Sequence, residues 1–322
     1  MRRSKPLYPP DMKGIKVLSV NISDKKGTIK KPVASIVLNQ SGIEGDAHAG
    51  NWHRQVSLLG MESIDKMQPS AGRDLHWGEF GENITTQGFQ LDAMRPLDRL
   101  VSGVIVLEVT QIGKTCHGKK CAIFRETGDC VMPKEGIFCR VLNGGTLRRG
   151  DLLNYRPKII QVRIITLSDR ASRGEYDDKS GPLLGKMSES HFSEEGRLSE
   201  TQQVIIPDDP GQLKDLINKY TGEEVDIVFT TGGTGIGPRD ITPDVIKPMF
   251  QKEITGIMEL IRVKYGMQFP NALISRSVAG VILKTLVYAL PGSPKAASEY
   301  AAEIFGTIEH SLRMLHEIDL HG

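Results

Sequence analysis

Thr230 to Asp244 reads TTGGTGIGPRDITPD and directly follows the apolar run Val225 to Phe229, VDIVF. An apolar run, a glycine-rich turn and then Thr-Pro-Asp before an amphipathic stretch predict a buried strand that turns tightly into a helix. In an open parallel sheet, ligands bind beyond the carboxyl ends of the strands, where a glycine turn lets backbone N–H groups approach phosphate oxygens. Gly232, Gly233, Gly235 and Gly237 build this turn around Thr234. It is neither GxxxxGK[ST] nor GxGxxG in a dinucleotide setting, so neither a P-loop NTPase nor a nicotinamide dehydrogenase is indicated. A tight loop with no ligand fits the same residues.

Outward from the turn, strands and helices alternate. VRIITLS (162–168), QQVIIP (202–207), DIVFTTGG (226–233) and TLVYALPG (285–292) read as strands. GPLLGKMSESH (181–191), PGQLKDLINKY (210–220), 241–266 as one long stretch, and 294–317 read as helices. The alternation implies an α/β domain over 160–322, a mainly parallel sheet flanked by helices. All four strands then deliver polar ends to one rim. The first brings Ser168, Asp169 and the Asp177, Asp178, Lys179, Ser180 cluster; the second brings Asp208 and Asp209; the last brings Gly292, Ser293 and Lys295. Thr242, Pro243 and Asp244 form a helix start, which explains Asp244 as first-turn charge and leaves Asp240 without a structural reason. Asp208 and Asp240, at neighbouring strand ends, suit Mg²⁺, which takes oxygen ligands and bridges carboxylates to nucleotide phosphates. Each is alternatively a solvated loop carboxylate.

Before residue 155 the texture differs. IKVLSV (15–20), VASIVL (33–38), RQVSLL (54–59) and RLVSGVIVLEVTQI (99–112) are short β-like runs between glycine-rich turns, which predicts a β-rich, barrel-like domain over 1–155. At 322 residues the chain has room for two such domains. With 41 basic and 39 acidic residues the net charge of +2 leaves no footprint for nucleic acid or an anionic membrane. No apolar window is long enough to span a bilayer, and MRRSKPLYPPDMKG has no apolar stretch behind its basic start, so a cytoplasmic protein is expected. Cys116, Cys121, Cys130 and Cys139 are clustered too closely for a disulfide framework and read as reduced thiols.

SDRASRGEYDDKSGP, IIPDD, TTGGTGIGPRDITPD, LISRSVAG and LPGSPK, in this order, resemble the molybdopterin adenylyltransferase family from about Gln161 onward. The resemblance implies AMP transfer from Mg-ATP to the terminal phosphate of molybdopterin. It implies that Asp208 and Asp240 hold Mg²⁺ and are the catalytic pair, and that Gly232, Gly233, Thr234 and Gly235 handle the nucleotide. It places Ser275, Arg276 and Ser277, with Gly292, Ser293 and Lys295, on the pterin-phosphate side, where Ser168, Asp169 and Ser180 are also expected. Association as a homotrimer through this domain, and partners among other molybdenum cofactor biosynthesis proteins, follow by the same resemblance. A non-catalytic pterin carrier is the alternative.

GIEGDAHAGNWHRQVSLLG, GEFGENITTQGF and LEVTQIGKTCHGKKCAIF resemble the MOSC domain over about Gly14 to Asp151. That implies cofactor binding, with a cysteine proposed to carry activated sulfur. Cys121, then Cys116, beside Lys119 and Lys120, are the candidate thiols, because nearby cations favour thiolate. His48, His53 and Arg54 are candidates for an anionic ligand, or His48 and His53 are hydrogen-bonded histidines. Zinc on cysteine with His48, His53 and Cys130 is a further alternative. Cys139 reads as a buried small hydrophobe, and Asn83 as satisfying turn backbone groups.

Overall fold

The computed structural model describes residues 14–115 and 129–318. The chain divides into two compact units near Lys158. In the first, strands β1 (Ile15–Ile22), β2 (Lys31–Val33), β3 (Ser35–Asn39), β4 (Gly42–Ile43), β5 (Val56–Gly60), β6 (Ile84–Gln87), β7 (Arg99–Ser102), β8 (Ile105–Ile112), β9 (Ile137–Asn143), β10 (Gly145–Arg148) and β11 (Leu152–Arg156) follow one another. Seven of them close a barrel in the order β1, β6, β5, β9, β8, β7, β11, with β11 returning to β1 through Ile15 opposite Leu153. Closure removes the sheet edges that would otherwise expose unpaired N–H and C=O groups. Alternate side chains, among them Ile15, Val17, Val56, Leu58, Ile84, Leu107, Val109 and Leu153, fill the core. Cys139 belongs to it, and burial pushes its thiol well above the usual range, so it is the small hydrophobe expected.

The second unit holds β12 (Ile159–Leu167), β13 (Leu198–Ile206), β14 (Ile227–Thr231), β15 (Lys252–Glu253), β16 (Val278–Ile282) and β17 (Thr285–Leu290) in the order β13, β12, β14, β17, β16, β15. The first four are mutually parallel, and β16 and β15 add an antiparallel margin. Helices Ser180–Glu194, Thr255–Gly266 and Pro294–Leu315 bury Leu184, Phe192, Met258, Ile261, Ala301 and Ile308 on one face. Helix Pro210–Gly222 buries Leu213 and Ile217 on the other. This is the predicted α/β class. Among the described residues, no helix is long and apolar enough to cross a membrane.

Two expectations are corrected. Residues 241–266 are not one helix: Thr242–Ile246 passes into a 3-10 turn at Lys247–Met249, β15 follows, and only then Thr255–Gly266. Pro248 lacks the N–H that an α-helix needs there, and the residue before a proline is disfavoured in α conformation. In addition Val278–Ile282, which is not among the four expected strands, is strand β16.

Candidate functional site

Because β12, β13, β14 and β17 run parallel, Ser168, Asp208, Gly232 and Gly292, which follow their last residues, share one rim. Gly232 and Gly233 have φ of +106° and +63°. A Cβ on Gly232 would lie 2.3 Å from the Leu167 carbonyl oxygen, so only glycine fits there. The carbonyls of this turn are tied back into the protein. Gly232 O accepts the Thr242 hydroxyl (2.8 Å), Gly233 O the Thr242 N–H (3.0 Å), Thr234 O the Arg276 N–H (2.9 Å) and Gly235 O the Arg276 Nε–H (2.7 Å). In a trans peptide C=O and N–H point in opposite directions, and the described residues contain no cis bond. The amides of Gly233, Thr234, Gly235 and Ile236 therefore face away from those donors, as an anion cradle requires. Thr242 is thus committed to the turn through its hydroxyl rather than to the helix cap expected of it, for helix Thr242–Ile246 has no side-chain cap bond.

Asp208, Asp169 and Asp240 gather beside the turn. The Asp208 N–H donates to Asp169 Oδ1 (3.1 Å), and the Asp169 N–H to Asp208 Oδ2 (3.2 Å). Burial raises the Asp208 carboxyl above its ordinary value; the bond from Asp169 N–H opposes this, and the negative charges of Asp169 and Asp240 add to it. Asp240 Oδ2 accepts the Gly237 N–H (2.7 Å), a structural role that the sequence does not reveal. Arg239, which sequence reasoning passed over although it stands in the same GPRD segment, reaches Asp169 Oδ2 at 3.1 Å. Oxygen-only donors that repel one another and hold an arginine as counter-ion fit a hard divalent cation. No set of three His, Cys, Asp or Glu side chains is arranged to hold a metal among the described residues, so phosphate and water oxygens would complete its shell.

Arg276 spans the site: besides Gly235 it bonds Asp244 Oδ1 (2.9 Å) and Oδ2 (3.0 Å), and its Nη2 donates to the Asp240 carbonyl. Ser275 and Ser277 hydroxyls bond each other at 2.9 Å. Ser180 Oγ donates to Gly292 O (2.7 Å), and Thr231 Oγ1 to Pro291 O (2.9 Å), tying the turn after β17 to the segment after β12 and to the end of β14. Ser168 and Ser293 cap helices through Ala171 N–H and Ala296 N–H, each at 3.2 Å. Asp178 accepts the Thr166 hydroxyl (2.6 Å) and, just ahead of helix Ser180–Glu194, the Ser180 N–H (2.9 Å). Lys295 lies exposed over the Phe269 ring, 4.0 Å from its centroid.

In the first unit, a buried polar cluster sits where sequence reasoning saw only its edge. Lys30 Nζ and Asp46 Oδ2 are 2.5 Å apart, with both side chains fully buried. Burial lowers the Lys30 pKa against the pull of Asp46; burial would raise Asp46, yet the Lys30 ammonium and the backbone N–H groups of His48 and Ser23 hold it well below the carboxylate range. Lys30 Nζ is 3.2 Å from His48 Nδ1 and 3.3 Å from Ser23 Oγ. Glu82 is fully buried and pushed up to about 7 by burial, against bonds from Gly78 N–H (2.6 Å) and Thr85 hydroxyl (2.9 Å); its Oε2 has no partner among the described residues. Asn83 accepts Ser57 N–H (3.1 Å) and donates to Asn21 O (3.1 Å), so it satisfies backbone as expected. Arg54 and Lys26 both lie over the Trp52 ring, 5.0 and 5.4 Å from its centroid. His53 is buried, and its carbonyl accepts the Thr110 hydroxyl at 2.6 Å. Cys130 packs in an apolar cluster with Leu59, Ile64 and Phe138, so Cys130, His48 and His53 do not assemble as a zinc site. Cys116 and Cys121, with the thiol reading, lie outside the described residues.

The family profile described as "Probable molybdopterin binding domain" matches residues 163–310, and the MOSC domain profile matches 45–154. The molybdopterin adenylyltransferase of Helicobacter pylori (strain J99) is 34% identical over 157 residues, 48% of this chain and 88% of that protein. Gephyrin of Dictyostelium discoideum is 33% identical over 161 residues, again 48% of this chain, and the match spans only 22% of gephyrin's length. Among solved structures, the molybdopterin biosynthesis enzyme MoaB of Thermus thermophilus is 32% identical, covering 49% of this chain and 98% of its own, with a TM-score of 0.45.

Proposed function

We propose a function from the premise that this chain belongs to the molybdopterin adenylyltransferase family through its C-terminal half and carries a MOSC domain before it. The chain acts in molybdenum cofactor biosynthesis. Its C-terminal unit is a nucleotidyltransferase that moves AMP from Mg-ATP to the terminal phosphate of molybdopterin. A phosphate oxygen of the pterin attacks the α-phosphorus, the bond to the bridging oxygen breaks, and pyrophosphate leaves with the electron pair. That phosphate is already ionised near neutral pH, so no protein nucleophile or general base is needed; positioning and charge neutralisation carry the catalysis.

The observation that supports this best is the turn whose carbonyls of Gly232, Gly233, Thr234 and Gly235 are all bonded inward, beside Asp208 and Asp240. Its outward amides would cradle the nucleotide phosphates. Asp208 and Asp240 would hold Mg²⁺, which when bound neutralises phosphate charge. Arg276 fixes the turn and Asp240 together, while Ser275, Ser277, Gly292 and Lys295 line the pterin-phosphate side; Ser168, Asp169, Ser180 and Ser293 shape that rim. The first unit binds cofactor or handles its sulfur, with His48 and Arg54 toward an anionic group. Other molybdenum cofactor proteins in the cytoplasm are the expected partners. Self-association through this unit is supported by exposed Leu260, Val263, Met267, Leu273 and Ile274 in and beside helix Thr255–Gly266, and the homotrimer is what the family resemblance implies for it.

Pyrophosphate release from Mg-ATP that depends on added molybdopterin is the test. Asp240→Asn is expected to lower it by about 100- to 1,000-fold, with the thermal midpoint moved by less than about 2 °C. Equal silence of wild type and Asp240→Asn would favour a non-catalytic pterin carrier.

A further inference from the structure

In the first unit Lys30 is a buried lysine whose ammonium faces an imidazole nitrogen. Its Nζ lies 2.5 Å from Asp46 Oδ2, 3.2 Å from His48 Nδ1 and 3.3 Å from Ser23 Oγ, three neighbours for three N–H bonds. An ammonium has donors and no lone pair, so a neutral imidazole facing it can only accept at that nitrogen. The competing arrangement, Nδ1–H turned to Asp46 Oδ1, has the longer separation of 3.5 Å and sets two N–H groups against each other across the Lys30 contact. Asp46 Oδ1 is moreover already engaged by the His48 backbone N–H at 2.9 Å.

We propose that Lys30, anchored by Asp46, is a positioning residue that locks His48 in the Nε2–H tautomer, making it an obligate hydrogen-bond donor to an anionic oxygen such as that of a phosphate ester. The locked ring keeps its in-plane lone pair on Nδ1, where it accepts from Lys30, so at Nε2 it neither ligates a metal nor removes a proton. The side chain is 30% exposed, which leaves that donor reachable. Its surroundings match an anion: the His48 and Trp52 rings are within 13° of parallel at 6.4 Å, and Trp52 carries the Lys26 and Arg54 cations on its faces. The lock itself needs no ligand, while the anion half rests on the reading that the first unit binds an anionic group.

Long-range ¹H–¹⁵N spectra of the full chain, with His48 among the eight histidines assigned through His48→Gln, test it. In wild type near pH 7.5, His48 should show a protonated Nε2 and a bare Nδ1; a protonated Nδ1 overturns the proposal. Inorganic phosphate should shift the His48 Nε2 signal, whereas Zn²⁺ should not. Phosphate that leaves His48 unmoved overturns the anion half, and Zn²⁺ bound at Nε2 overturns the lock. In Lys30→Met, judged folded by its methyl spectrum, the single tautomer should be lost and phosphate binding weakened about tenfold or more. Because the wild-type spectrum decides the tautomer alone, failure of Lys30→Met to fold leaves the proposal open to refutation. Neither outcome depends on adenylyl transfer in the second unit.

Discussion

Glu82 and Arg276 show how single side chains are constrained. The folded-state pKa of Glu82 is raised from 4.5 to about 7. Its contribution to stability is therefore fully present below about pH 4.5, lost progressively as pH rises to about 7, and flat beyond. Glu82→Gln should accordingly flatten the stability profile over that window, the wild type losing on the order of 3 kcal/mol that the variant keeps. Both tryptophans, Trp52 and Trp77, lie in the first unit, so tryptophan fluorescence in denaturant at pH 5 and pH 8 reads that unit alone. The same pH slope in both proteins would refute the assignment. Arg276 acts differently, because one planar fork serves Gly235, Asp240 and Asp244, which a lysine point charge cannot do. Arg276→Lys should cut kcat/KM for ATP by about 10- to 100-fold, chiefly through KM. An unchanged KM would mean that the clamp does not shape the nucleotide turn. Lys30 and Asp46 illustrate what sequence hides. Lys30 stands beside exposed Lys31 in KKPV and is buried only because Asp46, sixteen positions on, meets it.

Among the elements, the β14 turn carries the sharpest prediction. Gly232→Ala meets both a positive φ and the Leu167 carbonyl, whereas Gly256, in helix Thr255–Gly266, has nothing within 4 Å of an added Cβ. Gly232→Ala should lower the thermal midpoint of the second unit by about 5 °C or more, while Gly256→Ala should leave it unchanged or raise it slightly. Circular dichroism melts distinguish them, and equal midpoints would sink the steric account. The parallel strands and the rim were legible because runs such as VRIITLS and DIVFTTGG are short, rich in β-branched and apolar residues, and end in turn residues. The break at Pro248 and the strand at Val278–Ile282 were not. The short β15 and β16 gain their ladder only from each other and β17, and local pattern carries no record of that. The Thr242 hydroxyl was read as a cap for the same reason: its actual partner, Gly232 O, is ten residues back across the turn.

At the scale of the whole molecule, the apolar residues left uncovered on the second unit bear on assembly. Met267 is 84% exposed, and Leu260, Val263, Leu273 and Ile274 each exceed half exposure. Leu260→Glu with Val263→Glu should convert a trimer to monomer in sedimentation equilibrium without loss of helical circular dichroism. A wild type that sediments as a monomer removes the trimer from the proposal. The division into a β-barrel and an α/β unit was readable because hydrophobic period changes near residue 155, a property of local chain that needs no tertiary partner.

Barrel closure through Ile15 opposite Leu153 has a temporal consequence. Within the unit, strand β1 is synthesised before the other barrel strands, yet its hydrogen-bonding neighbour β11 is made last of them. The nascent barrel must wait with an open seam for nearly the whole unit to be synthesised, and its slowest folding step should be the zipping of that seam.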